Sequence, residues 1–332
     1  MDTKQRWRAR LDRQPARDGR DRGPAPARAG HGVPASAAVR LGLLSALFAV
    51  LGAALIFTGD NATAGSRFYT STPQFKVWAA LIIGVVASLP AVWRVGVDLL
   101  RRLGLDPRRV LRSRAVPALV CVALVVAVAV LAGQYARGSG SSLYGGAARV
   151  GVIYFLGITA SVPAFLAIWE CYFELGDGRR TTVNHVDVAV HRLLLLRECL
   201  LSALTTVGLL VSAGVLATGA ERQAALAAPK YAGPYPSAYV LIWGLGFSAL
   251  LVVNFIPAFR RLTQRANAII NSTLPILPPG TGQWQARLQE RKDLAELLKV
   301  TSGAKDVITS AVLVAGPLIS SAFSLFLPGP PS

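Results

Sequence analysis

The stretch CLLSALTTVGLLVSAGVLAT, residues 199–218, contains no charged residue and no proline. A helix of about 20 apolar residues is long enough to cross the roughly 30 Å hydrocarbon core of a bilayer. Every backbone N–H and C=O group in hydrocarbon needs a partner within the segment, and a helix supplies these partners. The stretch therefore predicts a transmembrane helix.

Five more charge-free runs occur along the 332-residue chain, at Leu41 to Phe57, Val77 to Trp93, Ala115 to Gly133, Val150 to Ile168 and Ala238 to Ala258. A seventh run, Val307 to Leu327, is interrupted by Gly316 and Pro317, which predicts a kinked span or a re-entrant hairpin. We predict an all-α fold: a polytopic transmembrane helical bundle of six spans, with a seventh C-terminal span or re-entrant hairpin.

The composition supports this class and excludes others. Hydrophobic residues make up 53% of the chain and charged residues 16%, whereas soluble domains carry about 25% charged residues. The three cysteines, at positions 121, 171 and 199, form no close-spaced metal or disulfide pattern and are interpreted as small apolar residues. A soluble core, a secreted disulfide scaffold and a free DNA-binding domain are excluded.

The basic residues predict an orientation. Of the 35 Lys and Arg residues, 29 lie in alternate segments between the spans and 6 in the others. Cytoplasmic loops of membrane proteins are enriched in Lys and Arg, so the N-terminus is predicted to be cytoplasmic and the loops around Arg67, Arg137 and Arg222 external. The predominance of Arg, with abundant Ala and Val, is typical of a GC-rich bacterial genome, which predicts the bacterial cytoplasmic membrane.

These features divide the chain into four predicted parts. Residues 1–40 form a basic cytoplasmic arm with few large apolar residues, which predicts disorder. Residues 41–259 form the six-span bundle, residues 260–306 a cytoplasmic amphipathic segment, and residues 307–332 the C-terminal hydrophobic span or hairpin.

A stripe of polar residues is predicted at the cytoplasmic ends of the fourth and fifth spans. At about 100° per residue, Asp187, His191 and Glu198 share one helix face, and Glu170 and Glu174 lie four residues apart where they could face it. Carboxylates and an imidazole could bind a divalent cation or relay a proton. Helix capping and ion pairs with neighbouring arginines are the alternative that we favour, so we predict no metal, cofactor or catalytic site.

A second candidate surface follows the proline-rich stretch near residues 274–282. Trp284, Leu288, Leu294 and Leu298 lie within an arc of roughly 120° on a predicted helix. This apolar face could cover the inner side of the protein or the membrane, or it could dock a protein partner.

Within the spans, hydroxyl and small residues allow two interpretations. Small residues four apart, such as Gly157 and Ser161, favour close helix packing, whereas Thr205, Thr206 and Ser212 could line a permeation path. The six cores contain no Asp, Glu, Lys, Arg or His, which argues against a carrier coupled to membrane carboxylates.

The sequence therefore predicts a non-catalytic, multi-spanning membrane protein, a scaffold or sensor subunit that engages lipid or a protein partner through its basic face. Anionic lipid headgroups are the expected counter-charge, and nucleic acid is not required. The alternative is a transporter or channel subunit with an uncharged path through spans four to six. The oligomeric state does not follow from the sequence.

Overall fold

The computed structural model describes residues 35–58, 64–105, 146–176, 186–228, 236–276, 284–298 and 315–322, together with the single residue Ala123. The main elements are α1 (Ala35–Phe57), α2 (Ala64–Ser71), α3 (Pro73–Arg102), α4 (Gly146–Gly176), α5 (Val186–Leu226), α6 (Ser237–Thr273) and α7 (Trp284–Leu297). Residues 315–322 are also helical. The described part of the chain is all-helical, as predicted.

Five of these helices, α1, α3, α4, α5 and α6, are long and apolar enough to cross a membrane. They contain five of the six predicted cores. The sixth core, residues 115–133, lies outside the described residues apart from Ala123, as does most of the seventh run, so the total of six spans plus a seventh stays a prediction.

The helix bounds differ from the predicted cores at several ends. Helix α1 begins at Ala35, inside the predicted arm, and residues 1–34 lie outside the described residues. Helix α5 has 41 residues and continues to Leu226. At 1.5 Å per residue its length is about 61 Å, twice the hydrocarbon thickness, so α5 extends beyond the membrane.

Helix α3 occupies the middle of the bundle and packs against α1, α4 and α5, while α6 packs against α4 and α5. The start of α3 is set locally: the side chain of Thr72 accepts a hydrogen bond from the backbone N–H of Phe75, and Pro73 occupies the first turn. Helix α1 runs antiparallel to α3, because the ring of Phe57 contacts Phe75 at one end and Ala37 contacts Arg94 at the other.

Helices α3 and α4 run in the same direction and approach closely at Gly96. A Cβ atom on Gly96 would lie 2.6 Å from the backbone nitrogen of Ala164 and 2.8 Å from the side chain of Pro163. Only glycine permits such a close approach of two helix backbones. Further along, the C-terminal end of α3 meets that of α4 through Arg192 of α5.

The interior is filled by small and branched side chains. The largest apolar cluster joins α3, α4, α5, α6 and α7, and Ala164, Ala203 and Val207 in it are fully buried. A second cluster joins α1 to α3, α4 and α5 toward the opposite end. Since burial of apolar surface and close packing both stabilise the bundle, these clusters hold the five long helices together.

The C-terminal helical residues lie between α5 and α6. A Cβ atom on Gly244 of α6 would lie 2.6 Å from the Cβ of Ser321. A Cβ atom on Gly316 would lie 2.7 Å from the hydroxyl oxygen of Ser212 on α5. Residues 315–322 therefore contact α6 near its N-terminal end and α5 in its second half.

Candidate functional site

The ionic contacts of the described residues concentrate at one end of the bundle. The C-terminal ends of α3, α4 and α6 meet the N-terminal ends of α1 and α5 there, because Arg94 contacts Ala37, Arg192 contacts Leu103 and Arg261 contacts Tyr172. We call this region the charged end. It is the candidate functional site.

The centre of the charged end is an ion pair between α4 and α5. Arg192 donates to both carboxylate oxygens of Glu174, at 2.6 Å from Nε and 2.8 Å from Nη2. The same Nη2 donates to the backbone oxygen of Leu103 at 3.0 Å, just beyond the end of α3. The side chains of Arg192 and Glu174 are 34% and 29% exposed, so both are partly shielded from water. One guanidinium thus ties three helices together with the bidentate geometry in which Arg–carboxylate pairs are strongest.

A second ion pair joins α3 to α5. Arg102 donates to Glu198 at 3.0 Å, and these side chains are 55% and 67% exposed. Since both groups are largely solvated, the pair contributes little to stability.

Aromatic and amide groups join α4 to α6 near the same end. The guanidinium of Arg261 lies 3.6 Å from the centroid of the Tyr172 ring and donates to the Tyr172 backbone oxygen at 3.1 Å. One turn deeper, the indole N–H of Trp169 donates to Asn254 at 2.9 Å. Asn254 is buried three residues before Pro257, whose ring removes a backbone donor from the helix, and the Asn254 side-chain amide donates to the backbone oxygen of Leu250 at 2.7 Å.

In the predicted polar stripe, Asp187, His191 and Glu198 lie in one helix, α5, while Glu170 and Glu174 lie in α4. Glu174 and Glu198 take part in different ion pairs, His191 is exposed, and Asp187 and Glu170 are half-buried. Glu198 was expected to face Arg192 or Arg197, but Arg192 pairs with Glu174. Positions 192 and 198 lie about 120° apart around the helix, so their side chains leave it in different directions.

The described residues contain no group of three or more His, Cys, Asp or Glu side chains placed to hold a metal ion. Neither the metal nor the proton-relay interpretation of the stripe gains support from this arrangement. Glu174 and Glu198 of the stripe form ion pairs that join the ends of neighbouring helices.

The predicted docking face of α7 is divided by burial. Leu294 and Leu298 are 0% and 3% exposed within the large apolar cluster, whereas Leu288 is 38% exposed and Trp284 is half-buried. Two of the four residues therefore pack against this chain's own helices and are not accessible to a partner. Partner docking stays a prediction for the remaining two.

Polar contacts hold α7 against α6. Arg291 donates to the backbone oxygen of Leu274 and, at 2.8 Å, to the side chain of Asn271. The Leu274 carbonyl follows the C-terminal end of α6, where backbone acceptors lack helical partners. Arg291 of α7 therefore caps the C-terminal end of the neighbouring helix α6.

The hydroxyls predicted for a permeation path bond within their own helix. Thr205 and Thr206 donate to the backbone oxygens of Leu201 and Ser202 at 2.9 and 2.8 Å. Ser212 lies against Gly316 in the C-terminal segment. These contacts satisfy the Thr donors within α5 itself.

A polar cluster at the opposite end of the bundle was not predicted from the sequence. Glu221 is 8% exposed on α5, in a region predicted to be an external loop. The Tyr154 hydroxyl lies 3.2 Å from that of Thr218, and the Tyr154 ring stacks on Trp243 at 4.8 Å. The helix-favouring run after position 219, rich in Ala, Glu, Gln and Arg, could have indicated the longer helix.

Comparison of the chain with protein-family models, curated proteins and solved structures finds no match. The class of protein therefore rests on the structure itself: the described residues are all-helical and include five long apolar helices, which indicate a multi-pass membrane protein.

Proposed function

We propose that the protein is a non-catalytic, multi-pass scaffold or sensor subunit of a bacterial cytoplasmic membrane, with the charged end facing the cytoplasm. The observation that carries the proposal is the contrast between a tightly packed interior and an accessible, arginine-rich end. The protein engages anionic lipid or a protein partner through that end.

The packed interior supports a structural role. Close helix contacts at Gly96, the fully buried Ala164 and Val207, and the internally bonded Thr205 hydroxyl all favour a solid bundle over a carrier with a polar path. A closely packed interior of this kind forms a rigid framework.

The basic surface supports engagement of anionic groups. Arg101 and Arg102 are 67% and 55% exposed at the end of α3, and Arg40 and Arg260 are also exposed. Each basic residue near an anionic membrane surface contributes about 1 kcal/mol. The clustering of Lys and Arg in alternate segments supports placing the charged end in the cytoplasm.

The parallel directions of α3 and α4 support the predicted span between them. Both helices end at the charged end, so the chain has to return to the other end before α4 begins. Residues 106–145 provide the connection, and the predicted core at 115–133 has a suitable length for that return.

A transporter is the second candidate because of two buried polar atoms on α6. Among the described residues, the indole nitrogen of Trp243 and the hydroxyl of Ser248 are buried with no hydrogen-bond partner. Such groups are costly in an apolar interior unless water or a solute contacts them.

A paired experiment tests the proposal. In a Cys-free background, Gln264→Cys should react with a membrane-impermeant maleimide only after permeabilisation, and Ala227→Cys should react from outside. Proteoliposomes should show the same flux of glycerol, urea, K⁺ and H⁺ as protein-free vesicles. External labelling of Gln264→Cys would overturn the orientation, and flux that Ser248→Leu abolishes would favour the transporter.

A further inference from the structure

A groove of about 410 Å³ lies between α1, α3 and α4 next to the charged end. Its volume is within the range of pockets that hold small molecules, roughly 300 to 1,000 Å³. Its wall is almost entirely apolar, and the hydroxyl of Thr159 in the wall donates to the backbone oxygen of Phe155 in its own helix. The apolar lining consists chiefly of Leu41, Leu44, Phe48, Leu89, Leu156 and Ala160.

Two arginines and a tryptophan lie where the groove meets the charged end. Arg40 of α1 and Arg94 of α3 line it together with Trp93, which is 42% exposed. The Nη1 group of Arg94 donates to the backbone oxygen of Ala37 at 3.0 Å. This hydrogen bond positions the Arg94 guanidinium between α1 and α3. A guanidinium has five N–H donors, so Arg94 retains donors for a further acceptor.

The acidic group nearby does not cancel this charge. Asp98 is shared between Arg94, at 3.7 Å, and Arg101, at 3.2 Å. With Arg40, three guanidinium groups stand against one carboxylate among the residues that the structure describes here. The mouth of the groove therefore keeps a positive charge suited to an anion.

We propose that the groove binds one phospholipid with an anionic headgroup, whose phosphate contacts Arg40 and Arg94 and whose acyl chain lies along the apolar wall. The proposal rests on the membrane insertion proposed above, since the charged end must lie at headgroup level. A ligand that is apolar along its length and anionic at one end matches both parts of the site.

The geometry agrees with the dimensions of such a lipid. From Arg40 to Phe48 the groove follows α1 for about 12 Å at 1.5 Å per residue, which leads from the headgroup level toward the middle of the bilayer. Trp93 at the mouth has the amphipathic ring that favours this level. Arginine binds phosphate through two parallel N–H donors, so the headgroup can be held by directed hydrogen bonds.

Native mass spectrometry of the full-length protein, titrated in detergent with phosphatidylglycerol or phosphatidylcholine, tests the proposal. The first phosphatidylglycerol should bind more tightly than the first phosphatidylcholine. The double variant Arg40→Gln/Arg94→Gln should weaken the first phosphatidylglycerol about thirtyfold, since each basic residue near an anionic surface contributes about fivefold. The matched control Arg260→Gln/Arg265→Gln removes the same charge elsewhere at the charged end and should have less than about a threefold effect.

A second pair of variants tests the apolar wall while the charges stay in place. Leu44 lines the groove, and Leu44→Trp should weaken the first lipid of either type by filling the space for its chain. Leu43 is 67% exposed and is not among the lining residues, so Leu43→Trp should bind lipid like the original protein. Unchanged thermal unfolding of all four variants excludes misfolding as the cause.

Three outcomes would overturn the proposal. Equal affinity for the two lipids in the original protein would mean that the groove takes any amphiphile. Equal effects of Leu44→Trp and Leu43→Trp on lipid binding would show that the acyl chain does not lie in the groove. Cross-linking of Leu44→Cys to Cys121, with the other two cysteines replaced by Ala, would show that the chain's own segment fills the groove.

These outcomes are distinguishable from failure of the proposed function. Solute flux with the phosphatidylglycerol preference intact would refute the scaffold role and leave the lipid site. Loss of that preference with labelling unchanged would refute the lipid site and leave the scaffold role.

Discussion

Replacing Glu174 by Gln should destabilise the protein by about 2 kcal/mol, since a hydrogen bond to a charged group contributes about 1.5–3 kcal/mol and partial solvation reduces the combined contribution of two such bonds. Glutamine keeps the size of the side chain and one acceptor oxygen but loses the charge. Of the acceptors that Arg192 contacts, only the backbone oxygen of Leu103 would then keep its full strength. The matched control is Glu198→Gln, the same change in an ion pair that is 55% and 67% exposed, which should cost less than about 1 kcal/mol.

Two native thiols provide the assay. Cys171 and Cys199 are 0% and 1% exposed and lie within a turn of Glu174 and beside Glu198. In a background where Cys121 is replaced by Ala, a fluorogenic maleimide should react with them only as the helices separate. The midpoint of thermal unfolding in detergent should fall by several degrees for Glu174→Gln and hardly at all for Glu198→Gln.

A double-mutant cycle sharpens the test. Combining Glu174→Gln with Arg192→Met should cost about 1–3 kcal/mol less than the sum of the single changes, because each single change leaves a partly buried charge without its partner. Equal midpoints for Glu174→Gln and Glu198→Gln, or strictly additive effects in the cycle, would refute the assignment of Arg192 as the link between three helices.

Two further predictions use the same thiol assay. Leu294→Ala should cost about 2–5 kcal/mol because the side chain is fully buried, whereas Leu288→Ala, at 38% exposed, should cost less than about 1 kcal/mol; equal costs would mean that α7 is not docked on the bundle. Gly96→Ala should destabilise by about 1–3 kcal/mol through contact with the α4 backbone, whereas Gly84→Ala on the same helix meets no atom within 4 Å and should stabilise by up to about 1 kcal/mol. If both glycine changes stabilised the protein, α3 and α4 could not be in close contact at Gly96.

The sequence predicts the long helices because a membrane-spanning helix can be identified from its own residues alone. A run such as Cys199 to Thr218 needs no information about its neighbours to be identified as a span, since length and absence of charge are sufficient. The break at Pro257 was also predictable, because proline removes a donor wherever it stands in a helix. The identity of Trp169 as the residue that bonds Asn254 was not predictable.

Contacts between helices were harder to predict because periodicity assigns a residue to a face but not to a neighbour. Glu198 was expected to pair on its own helix, yet Arg102 of α3 lies opposite it. The arc containing Leu294 was identified, but which surface it covers depends on where α7 packs. Glu221 was missed because its helix continues beyond the apolar run, and hydropathy alone ends the span too early.

The three prolines inside the long helices distribute stiffness unevenly through the bundle. Pro90, Pro163 and Pro257 interrupt the hydrogen-bond ladders of α3, α4 and α6, and interrupted ladders bend more readily than intact ones. Helix α5 has no proline along its 41 residues. Its hydrogen-bond ladder has no proline between the two polar ends, so we expect α5 to bend less than α3, α4 and α6 when Arg192 or Glu221 is displaced.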